Sequence, residues 1–192
     1  MARPLAPRGR GRERVVDAAL ELFAQHGVSG TSLQMIADHL GVTKAAVYYQ
    51  FKAKEDIVLA VLEPAFRTMR DFIAAAEAAP SPEESSQRAI AGLVDLIIEQ
   101  RQVVAALFRD PEVQRIVEGH EDFESLVQRL GTLLAGPHPD TRRRVATSVL
   151  GAGLAHAGMQ PELADIEDAV LREELLRLGR LLWRSAGHST TV

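Results

Sequence analysis

Cysteine is absent from the 192 residues, which excludes disulfides, thiol nucleophiles and cysteine-ligated zinc and suits a reducing cytoplasm. Aromatic residues are scarce, with one Trp, two Tyr and six Phe. No apolar run approaches the roughly 20 residues that cross a bilayer, so no membrane partner is expected. The stretch Met1–Arg14 is basic but has no apolar core of the kind a secretory signal needs, and the chain is read as cytoplasmic. Also missing are an HExxH pair, a glycine-rich phosphate loop and a nucleophile elbow. Accordingly, no catalytic residue, metal or cofactor is expected. His120 and Glu121 are the nearest approach to a metal pair, and they read more simply as a solvated helix end.

The overall charge of −4 hides an asymmetry. Residues 1–54 hold eight Lys/Arg (Arg3, Arg8, Arg10, Arg12, Arg14, Lys44, Lys52, Lys54) against four acids (Glu13, Asp17, Glu21, Asp38). That balance of +4 leaves −8 for the remainder. A basic head on an acidic body is the pattern of a polyanion-binding module joined to something else.

Along the chain, residues 1–11 are rich in Pro, Gly and Arg and read as a flexible basic arm, either a solvated tail or one that touches phosphates. Helical periodicity dominates thereafter, and the fold class is all-α. A first helix is expected over 12–26, closed by Gly27; a second near 32–40, closed by Gly41; a third over 44–51, capped by Thr43. A fourth begins near Lys54, with a kink or break near 60–64, because Pro64 removes a backbone donor. Ser81-Pro82-Glu83-Glu84 opens a helix to about Arg101, Asp110-Pro111-Glu112 marks another start, and Gly136-Pro137 is a stop. Two final helices are expected over 140–157 and 161–184. The organisation read from this is an arm (1–11), a head (12–58) and a larger helical remainder (59–192).

The segment TSLQMIADHLGVTKAAVYYQF, residues 31–51, has the layout of a helix-turn-helix. Ala37 is small where two helices must approach closely, and Gly41 can take a left-handed turn. Val42, Val47 and Phe51 are expected to face inward, leaving Lys44, Ala45, Ala46, Tyr48 and Tyr49 outward. Two adjacent exposed tyrosines beside a lysine suit packing on sugar and phosphate, and the alanines admit close approach to base edges.

With those residues in view, Arg14–Leu62 resembles the N-terminal domain of TetR/AcrR regulators. The resemblance is carried by "ALELFAQHG", "TSLQMIADHLGV" and "TKAAVYYQFKAKEDIVLAVL" without a gap. It implies an N-terminal three-helix DNA-binding domain followed by a C-terminal helical bundle for ligand binding and dimerisation. By the same resemblance Ser32 meets a phosphate and Gln34 reaches toward a base. Thr43 and Lys44 hold phosphate or a guanine edge, and Ala45 and Ala46 sit deepest in the groove. Tyr48 and Tyr49 pack on the backbone, Gln50 replaces the usual histidine, and Lys54 attracts a phosphate.

For the bundle, the resemblance implies a small-molecule effector, expected to be hydrophobic because so few aromatics are present. Candidate lining residues are Leu93, Ile97, Leu107, Phe108, Phe123, Leu126 and His156. The last two helices are expected to pair with a second copy through Leu150, Gly151, Leu154, Leu171, Leu175, Leu178 and Leu182. The functional expectation is a homodimeric repressor that leaves a palindromic double-stranded DNA operator when its effector binds. The alternative is an effector-independent or architectural DNA-binding protein.

Overall fold

The structure, a computed structural model, describes residues 10–107, 110–158 and 160–186. Nine α-helices lie among them, in the order α1 (Arg10–His26), α2 (Leu33–Leu40), α3 (Lys44–Gln50), α4 (Lys54–Glu77), α5 (Pro82–Leu107), α6 (Pro111–Glu118), α7 (Glu121–Ala135), α8 (Thr141–Ala157) and α9 (Asp168–Ser185). There is no strand among the described residues, as the absence of period-two patterning predicts.

Several bounds differ from expectation: α1 begins at Arg10 rather than residue 12, and α5 runs on to Leu107 rather than to about Arg101. Of the kink or break expected near Pro64 there is no break, since α4 runs from Lys54 to Glu77 as one helix. The proline ring sits on the exposed side, where water can reach the carbonyl it leaves unbonded. The last helix begins at Asp168 rather than Pro161, and Pro161–Leu163 form only a 3₁₀ turn. The cause is tertiary: Arg101 donates to the carbonyls of Ala164 (3.3 Å) and Ile166 (3.2 Å), which a continuing helix would have used internally.

The chain divides into two compact units, and the division falls after Pro64 rather than after residue 58. The first unit comprises the described residues of 10–64 and 106–119. Its core gathers Val15, Ala19, Leu22, Phe23, Val28, Ile36, Ala37, Val47, Phe51, Ile57 and Val58, with Leu107, Val113 and Val117 also buried. Membership of 106–119 in this unit is invisible to local periodicity, because the segment lies in sequence between two helices of the other unit.

The second unit comprises the described residues of 65–105 and 120–192. Met69, Ile73, Ile90, Leu93, Val94, Ile97, Leu126, Leu130, Leu134, Leu150, Leu154, Leu171 and Leu175 form one apolar interior. Of the effector-lining candidates, Leu93, Ile97 and Leu126 belong to this interior, while Leu107 is fully buried in the first unit. Phe123 is half-buried with its ring centre 5.7 Å from that of Phe66. His156 is exposed and lines nothing inside the bundle; Phe108 lies outside the described residues.

The expected partner-facing set is likewise divided. Leu150, Leu154, Leu171 and Leu175 are closed in the chain's own interior and are not available to a second copy. Gly151 is half-buried, and Leu178 and Leu182 are exposed. The outward apolar residues of these two helices are instead Val145 and Val149 on α8, and Val170, Leu178, Leu181 and Leu182 on α9. Leucines at i, i+4, i+7 of α9 mark its inner face as readily as an outer one, so spacing alone did not separate them.

Candidate nucleic-acid interface

The head builds its outward surface from short, well-capped elements. Gly27 takes the left-handed conformation at φ 72°, ending α1, and the Thr31 hydroxyl donates to the Gly27 carbonyl at 2.8 Å. Ser32 caps α2 by accepting from the Met35 amide at 3.2 Å. Gly41 follows at φ 65°, and its lack of a Cβ is what allows so tight a passage from α2 to α3. Thr43 then caps α3, accepting from the Ala46 amide at 3.2 Å.

α3 has one inward anchor. Val47 is fully buried, and Phe51, the C-cap, is 2% exposed. Val42, expected inward, is instead 37% exposed at the turn. Lys44, Ala45, Ala46, Tyr48, Tyr49 and Gln50 are all exposed, with Tyr48 at 51% and Tyr49 at 78%. Ser32, Gln34 and Thr43 are exposed too, although the Gln34 amide is held by Asp38 at 2.7 Å and is not free to reach. The residues assigned to DNA from the sequence are therefore all exposed, with a single exception.

The exception is Lys54. Its amine donates to the Val28 carbonyl at 2.8 Å and pairs with Glu112 at 2.9 Å, and the two side chains are only 19% and 17% exposed. Lys54 is engaged within the head. Beside it, the Asp110 carboxylate accepts from the Ser29 amide (2.8 Å), the Ser29 hydroxyl (2.8 Å) and the Glu112 amide (2.9 Å), capping α6. Burial pushes the Asp110 carboxyl up, but these donors together hold it below the ordinary aspartate range. A carboxyl with a lowered folded pKa stabilises the fold above its unfolded pKa, and that contribution is lost as pH falls through the folded value. Stability is therefore expected to decline below about pH 4, and Asp110→Asn to lose about 1 kcal/mol at neutral pH while flattening that decline. Denaturant titrations at both pH values measure it, and an unchanged acid slope in the variant contradicts the role given to Asp110.

Sequence reasoning missed two cations at this surface. The Arg12 guanidinium lies 4.5 Å from the centre of the Phe51 ring, and the Lys52 amine lies 4.7 Å from that of Tyr48. The signal available was the density of Arg in the first turn of α1 and the Lys directly after Phe51. Among the described residues no three His, Asp or Glu side chains converge as metal ligands, and the His120 ring packs 5.7 Å from that of Phe66.

Residues 15–61 match the family model described as bacterial regulatory proteins, tetR family. The N-terminal head belongs to that family. The chain spans about a quarter of the length of the first curated relatives it matches: it is 49% identical to the HTH-type transcriptional regulator SrpR of Pseudomonas putida over 51 residues, 27% of this chain and 24% of that protein. A longer match, 25% identical, covers 80% of this chain and 83% of the HTH-type transcriptional repressor BepR of Brucella suis. Among solved structures, FadR from Bacillus subtilis in complex with stearoyl-CoA aligns with TM-score 0.61 at 16% identity, covering 91% of this chain and 97% of that one. The tetR-family head thus continues into a helical region that shares its fold with that solved chain. Among the described residues, no helix is long and apolar enough to cross a membrane.

Proposed function

We propose that this chain is a homodimeric repressor that holds a palindromic duplex with α3 and releases it when an apolar or acyl-type small molecule binds the second unit. The observation that carries the DNA reading is the two-sided character of α3: Val47 fully buried behind it, and Lys44, Tyr48 and Tyr49 exposed in front. In this reading Lys44 supplies the strongest base or phosphate contact, Ala45 and Ala46 approach base edges, and the tyrosines pack on the backbone. Ser32 and Thr43 add phosphate contacts from the two caps. Repression is drawn from the similarity to BepR, a repressor by name, and an acyl-type effector from the stearoyl-CoA bound to FadR and from the shortage of aromatics here.

Response to the effector needs a connection to the head, and segment 106–119 supports one. It counts with the head, while the helices before and after it in sequence, α5 and α7, belong chiefly to the second unit. A molecule that favours one arrangement of α5 and α7 acts on the head through this segment, by no more than its difference in affinity for the two states.

The test begins with selection of a duplex from a random-sequence pool by the full chain, followed by fluorescence anisotropy. Lys44→Ala and Tyr48→Ala are each expected to weaken binding roughly tenfold or more, and stearoyl-CoA to release the wild type. Failure to select any duplex at low salt sinks the DNA reading; selection with no release by acyl-CoA or free fatty acid sinks only the effector assignment.

A further inference from the structure

A second set of cations flanks the recognition helix. Arg10, Arg12 and Arg14 are exposed in the first turns of α1, where Glu13 is the sole acid among residues 10–16. One contact ties this end of α1 to the end of α3: the Arg12 guanidinium stands over Phe51 at 4.5 Å. Gly11 passes near the Gln50 side chain, to which a Cβ added there would come within 3.5 Å. One residue past Phe51, the Lys52 amine sits 4.7 Å from the Tyr48 ring centre and 5.9 Å from that of Tyr49. Two cations thus stand over three rings at one end of α3, Arg12 over Phe51 and Lys52 over Tyr48 and Tyr49.

Ring stacking accounts for the positions of Arg12 and Lys52, since a guanidinium or ammonium is attracted to an aromatic face. It does not account for the exposed Arg10 two residues before Arg12, nor for adding Arg12 and Lys52 to a helix whose own outward face carries only Lys44. Exposed cations of one sign at this end of the head attract a polyanion.

We infer that Arg10, Arg12 and Lys52 form an accessory grip on the DNA sugar-phosphate backbone alongside the groove that α3 enters. The inference rests on the proposed DNA-binding role of the head. Arg12 and Lys52 are held in place by the rings before the phosphate arrives, so less side-chain freedom is given up on binding. A planar guanidinium takes two phosphate oxygens at once, whereas the ammonium acts as a point charge. Phosphate contacts carry no sequence information, so this grip raises affinity for all duplexes alike and leaves discrimination to α3.

The experiment uses the full chain, a fluorescently labelled duplex that it selects from a random pool, and a scrambled duplex, across a series of salt concentrations. Arg10→Gln, and Arg10→Gln with Arg12→Gln, are expected to reduce the slope of log affinity against log salt by about 0.9 for each phosphate that is no longer neutralised. The double variant is expected to bind roughly tenfold more weakly at moderate salt with its preference for the selected duplex unchanged. Arg12→Lys restores the slope, which a role confined to packing on Phe51 does not predict. Arg10→Gln keeps the test open if Arg12→Gln disturbs that packing. An unchanged slope in both variants, while Lys44→Ala still weakens binding, overturns the accessory grip and leaves the head's role standing. A weakened preference with an unchanged slope also overturns it, since it makes these residues base readers. Failure to select any duplex removes the head's role and this inference together.

Discussion

Leu181→Arg is expected to turn the protein from dimer to monomer and to lower DNA affinity at least a hundredfold. α8 carries apolar side chains outside as well as inside: Leu150 and Leu154 close into the bundle while Val145 is 58% and Val149 56% exposed. A surface helix ordinarily keeps one apolar stripe, and apolar residues gathered outside it mark a face that a partner covers. α9 adds Val170, Leu178, Leu181 and Leu182 to the outward set, Leu181 at 58%. A Cβ built at Gly151 or Gly153 would meet nothing within 4 Å, so a second backbone can come close there. In the proposed homodimer, two such helix pairs from two copies form a self-complementary four-helix contact. An arginine placed on that two-fold face meets its own copy and is desolvated without a partner. Losing the dimer then removes the second half-site's effective concentration, a factor of about a hundred to ten thousand. Sedimentation equilibrium and anisotropy measure both effects. A variant that stays dimeric, or a wild type that is already a monomer, contradicts the assigned face.

The second large effect is expected at Lys54. Lys54→Met leaves Glu112 without its cation and the Val28 carbonyl without its donor, in a site where both charged side chains are less than one-fifth exposed. Breaking one partner of such a pair costs more than the pair contributes, about 2 kcal/mol after allowance for partial solvent access. For a chain of this length that corresponds to a fall of roughly 5 °C in melting temperature. Lys54→Met with Glu112→Leu removes both charges together, and the double variant is expected to recover part of the loss, giving a measurable coupling energy. The opposite outcome is equally specific. Unchanged melting with weakened DNA binding assigns Lys54 to a phosphate, as the family resemblance implies, and contradicts its role as a pin for α6.

How far this was legible in the sequence differs by element. The turn chemistry of the head was fully local: Gly27, Ser32, Gly41 and Thr43 sit where their residue types act, and each was placed within a residue or two. The exposed run from Lys44 to Gln50 followed from one anchor, Val47, on a helix too short to have two. Lys54 was not legible, because its partner Glu112 lies 58 residues away on a helix that nothing local attaches to the head. Pro64 is ambiguous in the sequence, since a proline inside a helix can kink it or break it, and the helix continues where the freed carbonyl faces water.

By itself, the sequence determined the all-helical class, the helix-turn-helix and its outward residues. Each depends on periodicity, capping and backbone conformation within a few residues. Only the tertiary structure decided which leucines of α8 and α9 face inward, that 106–119 counts with the head, and that Lys54 is occupied. Those outcomes depend on which faces meet across long stretches of chain. An amphipathic or doubly apolar helix advertises that it must be covered, but its own spacing does not say by what.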